Sequence, residues 1–229
     1  RASWNGPLAR FLDQGYVSTQ VLAIRRLIEP PAQHDDRQPI SIRRVLKDIR
    51  KHRHLLTREN YVSFDGLPYN YNLGKQEWFD AHATDFASGD GVAVHSMATE
   101  GPEGWSISEE LHEHFDKLSG GTPDNRQRTD AMVVGVFDQI SNVIALKEIS
   151  EIGTYADKFM AHASDPLSRA AVGSAEMAIS MDKLAKCQKA LISASQMICG
   201  QLLWEGGSSP IPTPQFNVLE NLALPWVPE

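Results

Sequence analysis

At 229 residues, with 41% hydrophobic and 22% charged side chains, the chain carries enough apolar material for one large or two small globular domains and lacks the bias of fibrous or disordered sequences. The longest apolar stretch, Ala131 to Phe137, is interrupted by Gly135. Neither a helical membrane span nor a secretory leader is expected, and the expected location is cytoplasmic, away from membranes. The net charge of −7 opposes indiscriminate attraction to nucleic acid, yet ten basic residues face four acidic ones from Arg25 to Arg58, so that segment is +6 and the remainder −13.

In chain order, Pro7 to Glu29 reads as a first helix, because Leu8, Phe11, Leu12, Val17, Val21, Leu22, Ile24, Leu27 and Ile28 recur at three- and four-residue spacing. Pro30-Pro31 ends it, and 32–39 is a polar loop. Ser41 is the expected N-cap of a second helix with Ile42, Val45, Leu46, Ile49 and Leu56 along one face. The opposite face carries a basic stripe, which is either a solvated surface or a phosphate-facing one.

The segment 60–105 is punctuated by glycine, proline and asparagine and reads as an irregular insertion. Lys75 to Asp85 is a short helix within it, and Asp90-Gly91 is the turn of a tight hairpin. Ser106-Ile107-Ser108-Glu109 has the pattern of a capping box opening a further helix, which Gly120-Gly121 closes.

After Pro123 one long helical region is expected to run towards His162, with Met132, Val133, Val136, Phe137, Ile140, Val143, Ile144, Leu146 and Ile149 as a wide apolar stripe and Gly153 as a bend. Asp165-Pro166 interrupts it. Ser180 caps a last helix, Met181 to Leu203, in which Cys187 and Cys199 lie 12 residues and so roughly 18 Å apart, beyond the ~7 Å limit for a disulfide. Both read as buried thiols. The proline-rich 205–229 is an extended tail, docked by Phe216, Leu219, Leu222 and Trp226. The expectation is a single all-α domain over 1–229, an up-and-down bundle with a loop-rich insertion and an extended tail.

Chemistry is concentrated in Tyr155-Ala156-Asp157-Lys158-Phe159-Met160-Ala161-His162-Ala163-Ser164-Asp165-Pro166. Residues three and four apart share a helix face, so Asp157 and Lys158 fall within about a turn of His162, whose imidazole titrates near neutrality and can serve as general acid or base. A metal centre is not expected. His52-His54 and His112-His114 are i, i+2 pairs that face opposite sides of a helix, and no His-Glu-x-x-His or Cys-x-x-Cys spacing occurs. No phosphate-cradling glycine loop or Gly-x-Ser-x-Gly elbow is present either, so no cofactor is expected.

The run Asp157-Lys158-Phe159-Met160-Ala161-His162 resembles the signature of the HEPN superfamily of small all-helical proteins. The stretches Leu22-Ala23-Ile24-Arg25-Arg26-Leu27-Ile28-Glu29 and Ile40-Ser41-Ile42-Arg43-Arg44-Val45-Leu46 look like the first two helices of its abortive-infection U class. That resemblance spans roughly 10–205. It implies a homodimer whose paired histidine segments form a cleft that cleaves RNA without metal, in the manner of toxins of phage defence. His162 would then be the base, with Asp157 and Lys158 beside it; the +6 segment marks Arg43, Arg44 and Arg50 as the expected RNA contacts, with Arg169 as a further one. Where the family carries its arginine, this chain has Ala156, leaving Lys158 or Arg169 to supply the cation. Ser164 stands where some relatives carry a modifiable tyrosine. Two readings follow: a ribonuclease weakened at Ala156, or a catalytically inactive HEPN-like dimer that binds RNA or a protein partner such as an antitoxin.

Overall fold

The computed structural model describes residues 6–32, 39–83, 97–161, 165–173 and 178–204. Among them the chain is all-α, with nine α-helices and no β-strand. A lone antiparallel bridge joins Thr57 and Ala131. The helices are α1 (Gly6–Leu27), α2 (Ile42–Lys51), α3 (Arg58–Val62), α4 (Tyr71–Ala81), α5 (Trp105–Ser119), α6 (Val134–Ile144), α7 (Lys147–Tyr155), α8 (Pro166–Ala170) and α9 (Met181–Gln196). Two π-helical segments, Ala156–Ala161 and Met197–Leu202, continue α7 and α9. The chain divides into two compact units, one formed by Arg1–Val45 with Ile140–Glu229 and the other by Leu46–Gln139.

In the first unit α1 packs on α7, α9 and the first π-helical segment. Val21 and Ile24 of α1 and Ile28 just past its end are buried, at i, i+3 and i+7 on one face, whereas Leu22, Leu27 and Phe11 of the same apolar series are exposed, Phe11 at 71%. A 100° step per residue brings only one stripe to the core, so the remainder of the series faces outwards. Opposite it lie Ile149 and Ile152 of α7, and Leu184, Cys187, Leu191 and Ala194 of α9, all buried. Each such aliphatic side chain contributes about 1.5–3 kcal/mol when removed from water. Ser180 caps α9 as expected, its hydroxyl accepting from the Lys183 amide at 3.2 Å.

The second unit centres on α5, which packs against α3 and α4. Leu111, Phe115 and Leu118 form its inner face, joined by Val62, Leu67, Met132 and Phe137. Part of the 60–105 segment is regular here: α4 spans Tyr71–Ala81. Gly120 closes α5 in the left-handed conformation at φ 72°, which a glycine adopts without strain.

Local expectations differ from the structure at five places. The helix expected to start with a capping box at Ser106 begins one residue earlier, at Trp105 with Gly104 as N-cap, so Ser106 lies inside the first turn. Ser108 donates instead to the Pro68 carbonyl. The second helix stops at Lys51 and gives way to a 3₁₀ turn at Arg53–Leu55, so Leu56 lies beyond it. The long helix after Pro123 breaks at Ala145-Leu146, where Leu146 takes ψ 138°, and Gly153 sits within α7. Asp165-Pro166 starts a helix as well as interrupting one: Asp165 caps α8 by accepting from the Ser168 amide at 2.9 Å. Cys199, expected in the core, is exposed, because at 100° per residue it lies about 120° round the helix from Cys187 and one step beyond Ile198, off the buried face that Ile198 and Leu202 continue. The expected turn at Asp90-Gly91 and the tail 205–229 lie outside the described residues.

Candidate functional site

The site begins where α7 loosens into π-helix at Ala156. Widened turns of this kind are rare and collect at functional positions. Ala156 itself is 0% exposed and closes the core of the first unit. Position 156 is therefore packed interior, with no vacant seat for a guanidinium.

Asp157 follows on the outer side. Its Oδ1 accepts from Arg25 Nε at 2.8 Å, and Arg25 Nη1 also reaches Glu29 Oε2 at 3.0 Å. The hydrogen bond from Arg25 to Asp157 is the largest influence on the guanidinium and raises its pKa. Lys158 donates to the Ser168 hydroxyl on α8. Both side chains named from the sequence beside the histidine thus already have partners within the chain. His162 and Ser164 lie outside the described residues.

A cleft of ≈ 210 Å³ opens beside Asp157, bordered by Arg25, Glu29, Arg43, Ser150, Thr154 and Gly153. α1 approaches α7 closely here, and a Cβ placed on Gly153 would stand 3.4 Å from Ile28 Cδ1. Thr154 Oγ1 returns to the Ser150 carbonyl at 3.1 Å, fixing that wall. Ser41 joins α1 to α2: its hydroxyl donates to the Glu29 carbonyl at 2.6 Å and accepts from the Arg44 amide at 3.1 Å, so the expected N-cap also ties Arg43 to the end of α1. Arg43 is half-buried and has no partner among the described residues.

The four arginines expected to hold RNA are not equivalent. Arg43 lines the cleft, whereas Arg44 reaches the Pro39 carbonyl. Arg50 is paired with Asp138 at 2.8 Å, and Arg169 is exposed in the last turn of α8. Arg25 was not nominated as a site residue from the sequence. Its signal was present, since Arg25 and Glu29 stand at i, i+4, but nothing in the sequence tied it to Asp157, 132 positions away.

Arg58, at the edge of the basic segment, has a different role. It is 0% exposed in the second unit. Nε binds Asp130 Oδ2 at 2.9 Å, Nη2 binds Asp116 Oδ1 at 2.8 Å, Nη1 donates to the His112 carbonyl at 3.2 Å, and the guanidinium lies 5.0 Å from the Phe115 ring. Gly121 leaves the space this requires, because a Cβ there would stand 3.1 Å from Nη2. Asp116 also holds Arg126 at 2.7 Å. Burial would raise the Asp116 carboxyl, but hydrogen bonds from Arg126 and Arg58 outweigh it and bring it below the usual range. His112 Nε2 lies 2.8 Å from the Tyr69 carbonyl and must carry the proton, while Nδ1 faces Arg58 Nη1 at 3.5 Å and must accept. The imidazole is thus neutral, in accord with the lowering of its pKa, chiefly by burial and further by Arg126 and Arg58. Each guanidinium nitrogen of Arg58 faces a partner, so this cluster is a structural clasp rather than a reactive centre.

Among the described residues no group of three or more His, Cys, Asp or Glu is placed to hold a metal, and no helix is long and apolar enough to cross a membrane. No protein-family model, curated protein or solved structure matches the chain.

Proposed function

We propose that this protein is a HEPN-like helical module that binds RNA and lacks an efficient catalytic constellation. The observation that carries this reading is Ala156, which is wholly buried where the resembling family presents its arginine. Two further facts support it: Asp157 is engaged by Arg25 and Lys158 by Ser168. The match of Asp157 to His162 with the family run supports a homodimer joined through the histidine segments, working in the cytoplasm in phage defence, with an antitoxin-like protein as a further partner.

The test incubates the purified full chain with single-stranded RNA in excess chelator, scoring retention and cleavage separately. Retention without cleavage is the expected result. Absence of retention refutes the reading.

One observation favours a second reading, a weak metal-independent endoribonuclease. Arg25 is brought against Asp157 in a cleft that also holds Arg43, so cations are near the run even though position 156 supplies none. In that reaction His162 would take the proton of a ribose 2′-hydroxyl, the 2′-oxygen would attack phosphorus, and the P–O5′ bond would break with the 5′-oxygen taking a proton from water, giving a 2′,3′-cyclic phosphate and a 5′-hydroxyl. Cleavage in chelator that is lost in both His162→Ala and Arg25→Ala would establish it.

A further inference from the structure

We infer that the cleft beside Asp157 is a binding site for a ribose phosphodiester, with the singly charged phosphate on Arg43 and the neighbouring sugar hydroxyl on Asp157. This goes beyond RNA retention in general, because it names one pocket and one chemical unit, which a free 3′,5′-cyclic ribonucleotide and an internal RNA linkage share.

Size is the first restriction. At ≈ 210 Å³ the cleft falls below the roughly 300–1,000 Å³ of pockets that enclose drug-sized ligands, so it takes a sugar-phosphate unit and leaves a base outside. Charge is the second. Arg25 faces two carboxylates, Asp157 at 2.8 Å and Glu29 at 3.0 Å, so these three side chains together carry −1. Arg43, half-buried and lining the same cleft, restores neutrality and has no partner among the described residues. One guanidinium with its fork unfilled suits one phosphodiester charge, since its paired donors match two phosphate oxygens. A dianionic monoester would bring a second charge against Glu29 and Asp157, which opposes it.

The third restriction is the donor and acceptor set. Arg25 occupies Asp157 Oδ1, which leaves Oδ2 to accept, and Asp157 is exposed and lines the cleft. A carboxylate oxygen beside a phosphate-binding arginine needs a ligand with a hydroxyl next to its phosphate. The ribose 2′-hydroxyl, vicinal to the 3′-phosphate, meets that need, and deoxyribose does not. The π-helical turn that begins at Ala156 places Asp157 on the cleft and is the kind of local irregularity retained at binding positions.

The test is calorimetric titration of the full chain with 3′,5′-cyclic AMP and a ten-nucleotide single-stranded RNA, each beside its 2′-deoxy counterpart. The ribo form should bind about tenfold or more tightly than the deoxy form, as expected for one hydrogen bond to a charged group. Arg43→Gln should weaken both ribo ligands and reduce the RNA salt slope by about 0.7, one phosphate contact. Arg43→Lys should retain part of the affinity, keeping the charge while losing the fork. Asp157→Ala should keep or gain phosphate affinity, because Arg25 is released, while erasing the ribo-over-deoxy preference. Thermal midpoints within a few degrees of the parent show that these variants are folded. Binding of cyclic AMP alone or of RNA alone each supports the site and identifies its source. Equal ribo and deoxy affinity, no binding of either ribo ligand, or affinity indifferent to Arg43→Gln overturns it. RNA binding that ignores Arg43→Gln leaves the RNA-module reading intact while removing this one. Cyclic AMP binding without RNA retention does the reverse.

Discussion

Replacing Arg58 with methionine isolates the clasp of the second unit. The side chain keeps much of its volume but loses a charge with 0% exposure and four hydrogen-bonding or ionic contacts, to Asp130, Asp116, the His112 carbonyl and Ser119. Removing one partner of a buried ion pair costs about 3–5 kcal/mol, because the other charge is left uncompensated. Asp116 is not left alone, since Arg126 holds both its oxygens at 2.7 to 3.2 Å. Asp130 is left with the Gln127 amide at 3.0 Å, although its side chain is 23% exposed and water reaches it. The loss therefore belongs at the lower end, about 3 kcal/mol, against a total of about 5–15 kcal/mol for a typical domain.

For a chain of this length such a loss lowers the melting midpoint by roughly 6–12 °C. The assay is urea unfolding followed by tryptophan fluorescence, to which Trp78 and Trp105 of the same unit contribute. A second variant separates lost packing from the stranded charge: Arg58→Met with Asp130→Asn should recover about 1 kcal/mol or more relative to Arg58→Met, because no unpaired carboxylate remains. A loss under about 1 kcal/mol for Arg58→Met, or a double variant no better than the single, would refute the clasp.

The pH dependence of stability follows from the neutral His112. Its pKa in the folded chain lies below the ordinary 6.5, so the unfolded chain binds the proton first and stability is complete above about pH 6.5 and falls as pH drops below it. His112→Gln should flatten the urea midpoint between pH 5 and 6.5. Asp116 acts lower: its depressed pKa makes its contribution complete above the ordinary 3.8 and lost as pH falls through the folded value. Thiol titration with an aromatic disulfide should give one fast thiol from exposed Cys199, while Cys187, buried and pushed up to about 11 chiefly by burial, reacts only on unfolding. Two fast thiols in the native chain would contradict the placement of α9. Ala156→Arg should lower the thermal midpoint and create no RNA cleavage, because a guanidinium there enters filled core. A stable variant with new cleavage would show that position 156 faces a usable pocket.

Much of the all-α character was legible because apolar spacing and caps are local signals. Ser41 and Ser180 cap the helices they precede, and Gly120 ends α5. The misses share a cause. Spacing cannot say which of several overlapping apolar stripes will find a partner, so Phe11 and Ile24 read alike although one is exposed and the other buried. Residue type misleads in the same way: Cys187 and Cys199 are both thiols in one helical run, yet they lie about 120° apart round it, and only Cys187 faces the core. The basic segment shows the same limit in charge. Arg43, Arg50 and Arg58 are one residue type within sixteen positions, yet the first has no partner among the described residues, the second forms an exposed ion pair and the third is sealed in the core.

The candidate site follows that division. Asp157 and Lys158 stood out by their nearness to His162, and short-range spacing is enough to find them. What they do depends on α1 and α8, which sequence distance hides: Arg25 is 132 positions from the carboxylate it binds, and Ser168 lies across a break in the helix from Lys158. A carboxylate beside an isolated histidine would orient or charge the imidazole. A carboxylate clamped by Arg25 is already engaged, and it lines the cleft that Arg43 also lines. That pairing is the ground for proposing recognition at the flank of the run in place of proton transfer within it. Ala156 supports the same proposal, because a position filled with core holds no cation for a transition state.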